Sequence, residues 1–260
     1  MQAVTLPARA GLFWIDAGWR LFRQQPLALF SWAMFVTLLL IFGTLSAPIG
    51  PIVFIALMPS ITYVTLSITR DVNAQKQISP RHWIEPLKQP GLFKKLIGLG
   101  MLYVAVCLGM GILIFLPFAT ELAAAMQILA ETQDIEPLIQ AMQTPMILFA
   151  VLYLVLAALF WYTPVLIGWH QTTMTQALFF SAIACWRNKW AFLVYGVSWA
   201  AIFFAIDLVL GLLISIGVSV DLAATLQIPI NIAIGSVLYA TFYPTYVSVF
   251  GQGDTPAEAT

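Results

Sequence analysis

The sequence predicts an all-α membrane protein: a polytopic bundle of six transmembrane helices, with amphipathic helices lying along one membrane interface. Three observations carry this. Of 260 residues, 61% are hydrophobic and only 8% charged, whereas roughly a quarter of a soluble domain is charged. Six apolar stretches, 27–46, 47–69, 96–118, 145–169, 190–218 and 227–249, each reach about the 20 residues that a helix needs to cross a bilayer. The eleven Lys and Arg also segregate. Three precede the first span (Arg9, Arg20, Arg23), six lie between spans two and three (Arg70, Lys76, Arg81, Lys88, Lys94, Lys95), and two precede span five (Arg187, Lys189). The opposite connections carry Glu121, Glu131, Asp134, Glu136 and Asp221 but no Lys or Arg. The positive-inside rule then places both termini in the cytoplasm.

Taken in order, Met1 to Arg9 leads into a segment bearing Asp16, Arg20 and Arg23 rather than a signal-peptide core, so the first span is expected to serve for insertion. Over residues 9–25, Leu12, Ile15, Trp19 and Phe22 recur at helical spacing opposite Asp16, Arg20, Arg23 and Gln24, which predicts an interfacial helix. Pro26 breaks it from span one. The sequence SAPIGP (Ser46 to Pro51) leaves room only for a tight hairpin to span two. The basic segment Arg70 to Lys95 contains Pro80, Pro86, Pro90 and Gly91, which limits it to one short helix near Arg81 to Leu87. Between spans three and four, the acidic stretch Ala119 to Thr144 reads as two short helices capping the bundle. Thr172 to Lys189 predicts a second interfacial helix (172–189), capped by threonine, with a small-residue stripe at Ala177, Ser181 and Cys185 that suits docking against the bundle. Residues 250–260 form a tail of the single membrane domain.

An internal echo links two parts of the chain. GWRLFRQQPLALFSWA (Gly18 to Ala33) and CWRNKWAFLVYGVSWA (Cys185 to Ala200) share Trp, Arg, Ser, Trp and Ala in one register. PSITYVT (Pro59 to Thr65) is likewise echoed by PTYVS (Pro244 to Ser248), and TPVL (Thr163 to Leu166) places a third proline at the same end of span four. Pro59, Pro164 and Pro244 thus mark helix bends in all three descending spans. This suggests three parallel hairpins, each with a lead segment, an ascending span and a proline-bent descending span. Such bends either shape the packing or line a path.

Chemistry-bearing residues are sparse. Asp207 is the one ionisable group deep within a span, and Ser236 and Tyr239 are its expected partners from span six. It serves either a proton or cation relay or a hydrogen bond between helices. No catalytic or metal-binding signature occurs, His82 and His170 lack companions at ligand spacing, and the two cysteines form no CxxC, so neither metal, cofactor nor enzymatic activity is expected. Trp19, Arg20, Arg23, Trp186, Arg187 and Lys189 are candidate lipid-headgroup contacts. With Trp14, Trp83, Trp169 and Trp190, the two tryptophans of that set form a one-sided belt of six at the basic boundary.

RAGLFWIDAGWRLFRQQP (Arg9 to Pro26) and TQALFFSAIACWRNKWAFLVYG (Thr175 to Gly196) resemble a family of six-span inner-membrane proteins of proteobacteria, over nearly the whole chain. More distantly, the arrangement resembles the membrane domain that accompanies some glycerophosphodiester phosphodiesterases, whose hydrolase domain has no counterpart here. The resemblance implies the bacterial inner membrane and a multi-pass fold. The expected function is a non-enzymatic accessory or scaffold whose partners are anionic lipids of the cytoplasmic leaflet or another membrane protein, and not nucleic acid. The alternative is a small transporter or channel with a path near Asp207 and the bent helices.

Overall fold

A computed structural model of the protein describes residues 3–251; most of the 250–260 tail lies outside them. Ten α-helices account for most of these residues, and no strand occurs among them. Six helical runs are long and apolar enough to cross a membrane. The Lys and Arg side chains gather at one end of the bundle, the basic end.

Helix α1 (Ala10–Gln24) leads to α2 (Pro26–Leu45), the first ascending span, with Pro26 at the helix start where its missing N–H costs nothing. The face of α1 that meets the bundle is not centred on its apolar stripe. Gly11, Trp14, Gly18 and Leu21 are buried, whereas Leu12, Phe13 and Trp19 face outward. The reason is steric. A Cβ at Gly11 would collide with the carbonyl of Ala191, and one at Gly18 with the backbone of Thr241. Two glycines therefore let α1 approach the first turns of the fifth span and the last turns of the sixth at backbone distance. Between them Trp14 is fully buried and donates its indole N–H to Ser248 Oγ at 2.7 Å.

The descending helix α3 (Ile49–Asn73) carries Pro59 within it. Two 3-10 turns, Pro80–Trp83 and Glu85–Lys88, replace the short helix expected near Arg81, because Pro80 and Pro86 each start a turn and neither can continue one. Helix α4 (Leu92–Phe115) ascends. It runs through a 3-10 turn at Leu116–Phe118 into α5 (Ala119–Thr132), and α6 (Glu136–Phe160) begins immediately after the turn. The acidic segments thus extend the third and fourth spans as a helical hairpin instead of capping the bundle. Pro137 occupies the first turn of α6, and Pro145 is accommodated inside it.

The fourth span is broken. Helix α6 stops at Phe160, and α7 (Thr163–His170) restarts with Pro164 in its first turn. At the break, Ser181 of α8 (Met174–Arg187) places its hydroxyl between Tyr162 N–H and Ala158 C=O, accepting from the first at 3.0 Å and donating to the second at 2.8 Å. Those two groups are i and i−4, so the hydroxyl stands in for a missing rung of the helical ladder. The small-residue stripe on α8 is buried at Ala177, Ser181, Ala184 and Cys185, as its spacing anticipates. Thr173 caps the helix reciprocally with Gln176. Helices α9 (Lys189–Ser215) and α10 (Val220–Phe250) complete the chain.

The elements close in cyclic order. Helix α8, the lead of the third hairpin, packs on α6 and α7 of the second. The 3-10 turns leading the second hairpin pack on α3 of the first, and α1, leading the first, packs on α9 and α10 of the third. The three descending arms meet centrally: α3 touches both α7 and α10, and Tyr162 of the α6–α7 break donates its hydroxyl to Thr245 O of α10. The sequence echo has a structural counterpart. Trp32 and Trp199, at matching positions of the first and third hairpins, are both buried, and so are Tyr63 and Tyr246.

Candidate functional site

The central arms end in a cavity of about 790 Å³ at the basic end. Arg70 and Asp71 in the last turn of α3, Trp169 and His170 closing α7, and Tyr243 and Tyr246 of α10 line it, with Lys76 from the loop after α3 and Lys95 from the first turn of α4. The Arg70 guanidinium lies 4.7 Å from the centre of the Trp169 ring, a cation–π geometry that fixes its plane. His170 Nε2 and the Tyr246 hydroxyl are 2.5 Å apart. Lys76 Nζ is 3.1 Å from Asp71 Oδ1 and takes up the single carboxylate of this wall. Trp169 Nε1 is buried without an acceptor among the described residues. Ser181 bridges the break between α6 and α7, and Pro164 in the first turn of α7 prevents a straight continuation, so both bear on where Trp169 and His170 sit.

A second cavity, about 500 Å³ and almost wholly apolar, lies between α3, α4, α6 and α10, with Pro59 and Pro164 in its wall. It meets the basic cavity across a single helical turn. Leu66, Pro164 and Phe242 face the apolar side, while Arg70, Gly168 and Tyr246, each four residues later, face the basic side.

The residues expected from sequence are distributed differently. Pro59 and Pro244 lie inside their helices as anticipated, but Pro164 starts a new helix rather than bending a continuous one. Asp207 lines neither cavity. It is exposed on α9 and accepts from Gln227 Nε2 at 3.2 Å, not from Ser236 or Tyr239. Ser236 donates instead to the Ala233 carbonyl, and Tyr239 packs against the buried cluster that includes Trp32, Val64 and Ile68. The correction comes from register. Helix α10 starts at Val220, seven residues before the expected boundary, which brings Gln227 rather than Ser236 level with Asp207.

The candidate headgroup contacts lie at the basic end and are exposed: Trp19, Arg20 and Arg23 on α1, and Trp186, Arg187 and Lys189 at the α8–α9 junction. Lys189 Nζ sits 4.4 Å over the Trp186 ring, and Arg20 pairs with Asp16 at 2.8 Å. The expected six-tryptophan belt is thereby halved. Trp19, Trp186 and Trp190 face outward, but Trp14 is core, Trp83 packs against Trp32, and Trp169 belongs to the cavity.

The cavity itself was not legible as a site. Arg70, Trp169 and His170 each read as a boundary residue, and only the convergence of α3, α7 and α10 joins them. The available signal was topological, since residues ending successive descending spans must emerge at the same end.

No family model matches the chain, and no solved structure matches it. The chain is 32% identical over 223 residues to a protein of Burkholderia thailandensis named a probable inner membrane protein, covering 81% of this chain and 79% of that one. With this identity along most of both lengths, and six apolar helices of spanning length, the chain belongs to the same family of inner membrane proteins as its Burkholderia relative.

Proposed function

We propose that the protein is a non-enzymatic accessory or scaffold of the inner membrane, with both termini in the cytoplasm, that engages anionic lipid headgroups through its tryptophan- and cation-bearing rim. The observation that carries the reading is the α8–α9 junction, where the Lys189 ammonium lies 4.4 Å over a Trp186 ring that is 72% exposed. An amphipathic ring suits the headgroup layer, and a cation held against it suits an anionic one. Each such cation contributes roughly 1 kcal/mol, about fivefold in affinity. The cytoplasmic orientation is supported by the segregation of all eleven Lys and Arg to one end.

Quantifying lipids that copurify in mild detergent tests this reading. Anionic lipid enriched over the bulk membrane, and reduced by Trp186→Ala combined with Lys189→Gln, supports it. No enrichment, together with no reproducible protein partner, counts against it.

A second reading, a small transporter, is favoured by the two cavities that approach one helical turn from opposite sides. Asp207 stands outside that path. Flux through proteoliposomes above that of protein-free vesicles, equal for wild type and Asp207→Asn, supports transport along the three descending arms.

A further inference from the structure

We propose that the basic cavity is a binding site for a phosphate-bearing anion, either a phospholipid headgroup or a small soluble phosphate. This goes beyond the rim, because none of the six rim residues lines the cavity.

Charge comes first. Arg70, Lys76 and Lys95 line the cavity against Asp71 alone, and Asp71 is occupied by Lys76 at 3.1 Å. Among the described residues, Arg70 and Lys95 make no ion pair. The helix ends partly oppose this. Helices α3 and α7 finish at the cavity, and each C-terminus brings about half a negative charge, while the N-terminus of α4 returns about half a positive one. Two free full cations outweigh that remainder, so the site stays positive.

Geometry then narrows the class. The donors approach from separate walls: Arg70 from α3, Lys95 from α4, Tyr243 from α10, and Gln171 from just beyond α7. A carboxylate's acceptor sites all lie in one plane, whereas a phosphate presents oxygens at tetrahedral vertices and so suits donors set around it in three dimensions. Arg70 is also held in place by the face of Trp169 at 4.7 Å, so less freedom is lost when its fork engages an anion. The volume, about 790 Å³, exceeds what a bare ion fills and falls in the usual range for organic ligands, about 300–1,000 Å³. An ester group attached to the phosphate has room.

The test uses the full chain in neutral detergent and reads its melting temperature. Two probes are titrated: inorganic phosphate against chloride at equal ionic strength, and micelles doped with phosphatidylglycerol against phosphatidylcholine. Ligand binding to the folded state raises the melting temperature by mass action. The expected result is a saturable rise with at least one probe. Arg70→Gln and Lys95→Gln should each weaken the response about tenfold, the effect of losing one charge-assisted contact, while Lys88→Gln, at an exposed residue of neither the cavity nor the rim, leaves it unchanged. A response to phosphatidylglycerol alone identifies a lipid headgroup, and a response to inorganic phosphate identifies a soluble phosphate as sufficient. No rise over either control, or both cavity variants responding as wild type, overturns the proposal. Lys95 is exposed, so its variant carries the test should Arg70→Gln fail to fold. Loss of lipid enrichment in the rim variants, with the inorganic-phosphate response intact, would separate the two sites.

Discussion

Replacing Ser181 by Ala should destabilise the protein far more than the loss of one hydroxyl ordinarily does. Its Oγ accepts from the Tyr162 N–H at 3.0 Å and donates to the Ala158 carbonyl at 2.8 Å, and Ser181 is fully buried. Each backbone group left unpaired in a dry interior costs about 1–3 kcal/mol. The two cannot simply bond each other, because Pro164 in the first turn of α7 keeps the helix from continuing straight through the break. Partial relaxation lowers the total to about 2–3 kcal/mol, which at about 2–4 °C per kcal/mol for a chain of this size corresponds to a fall of about 4–12 °C in melting temperature. Thermal unfolding of the detergent-solubilised protein measures this. Ser215→Ala serves as reference, since its exposed hydroxyl donates only to the Leu212 carbonyl within its own helix, at 2.7 Å. A Ser181→Ala melting temperature indistinguishable from that of Ser215→Ala would show that the hydroxyl does not hold the broken ladder, and the reasoning would fail.

Three further outcomes follow from the packing. Gly18→Val drives a side chain into the Thr241 backbone and should cost about 1–3 kcal/mol, the usual penalty of overpacking; an unaltered melting temperature would mean that α1 does not approach α10 this closely. Trp32→Phe removes the 2.9 Å bond to Thr65 Oγ1 but leaves that hydroxyl donating to the Ile61 carbonyl at 2.8 Å, so the loss should be modest, about 1 kcal/mol by melting. Burial pushes the Cys185 thiol up to about 12 from an ordinary 9.0, which leaves roughly one thiol in ten thousand ionised at pH 8. Maleimide should therefore spare Cys185 in the folded protein and label it after denaturation, read by mass spectrometry. Because its folded value lies above the unfolded one, its contribution to stability is intact below about pH 9 and declines between pH 9 and 12.

What the sequence made legible was whatever depends on one segment at a time. The six spans, the cap at Thr173 and the docking stripe on α8 follow from local hydropathy, side-chain chemistry and helical spacing, and the structure has them all. Spacing says less where two segments decide together. On α1 it marks an apolar stripe for the interface but not the face that meets the bundle, where backbone contact rewards the absence of a side chain and the glycines are buried. In a membrane protein this ambiguity is expected, because an outward apolar face meets lipid and loses nothing. The partner of Asp207 failed for a related reason: a helix start displaced by seven residues moves two full turns of possible neighbours.

The cyclic packing gives the hairpin echo a physical meaning. A single hairpin with its lead helix leaves one face of its descending arm uncovered. Here each lead covers the descending arm of the hairpin before it, and α1 covers that of the last, so no arm is left for want of a neighbour. Closure has a further consequence at the centre. Three descending arms brought together by the same rule end at one level, and residues that terminate them converge without being close in sequence. Arg70, His170 and Tyr246 meet for that reason, although they lie 100 and 76 residues apart in order. The break in the second arm is then not a defect in the arrangement. An unbroken fourth span would carry Trp169 along the line of α6; with Pro164 breaking the helix and the Ser181 hydroxyl bridging the break, α7 leaves that line and Trp169 backs Arg70 at 4.7 Å.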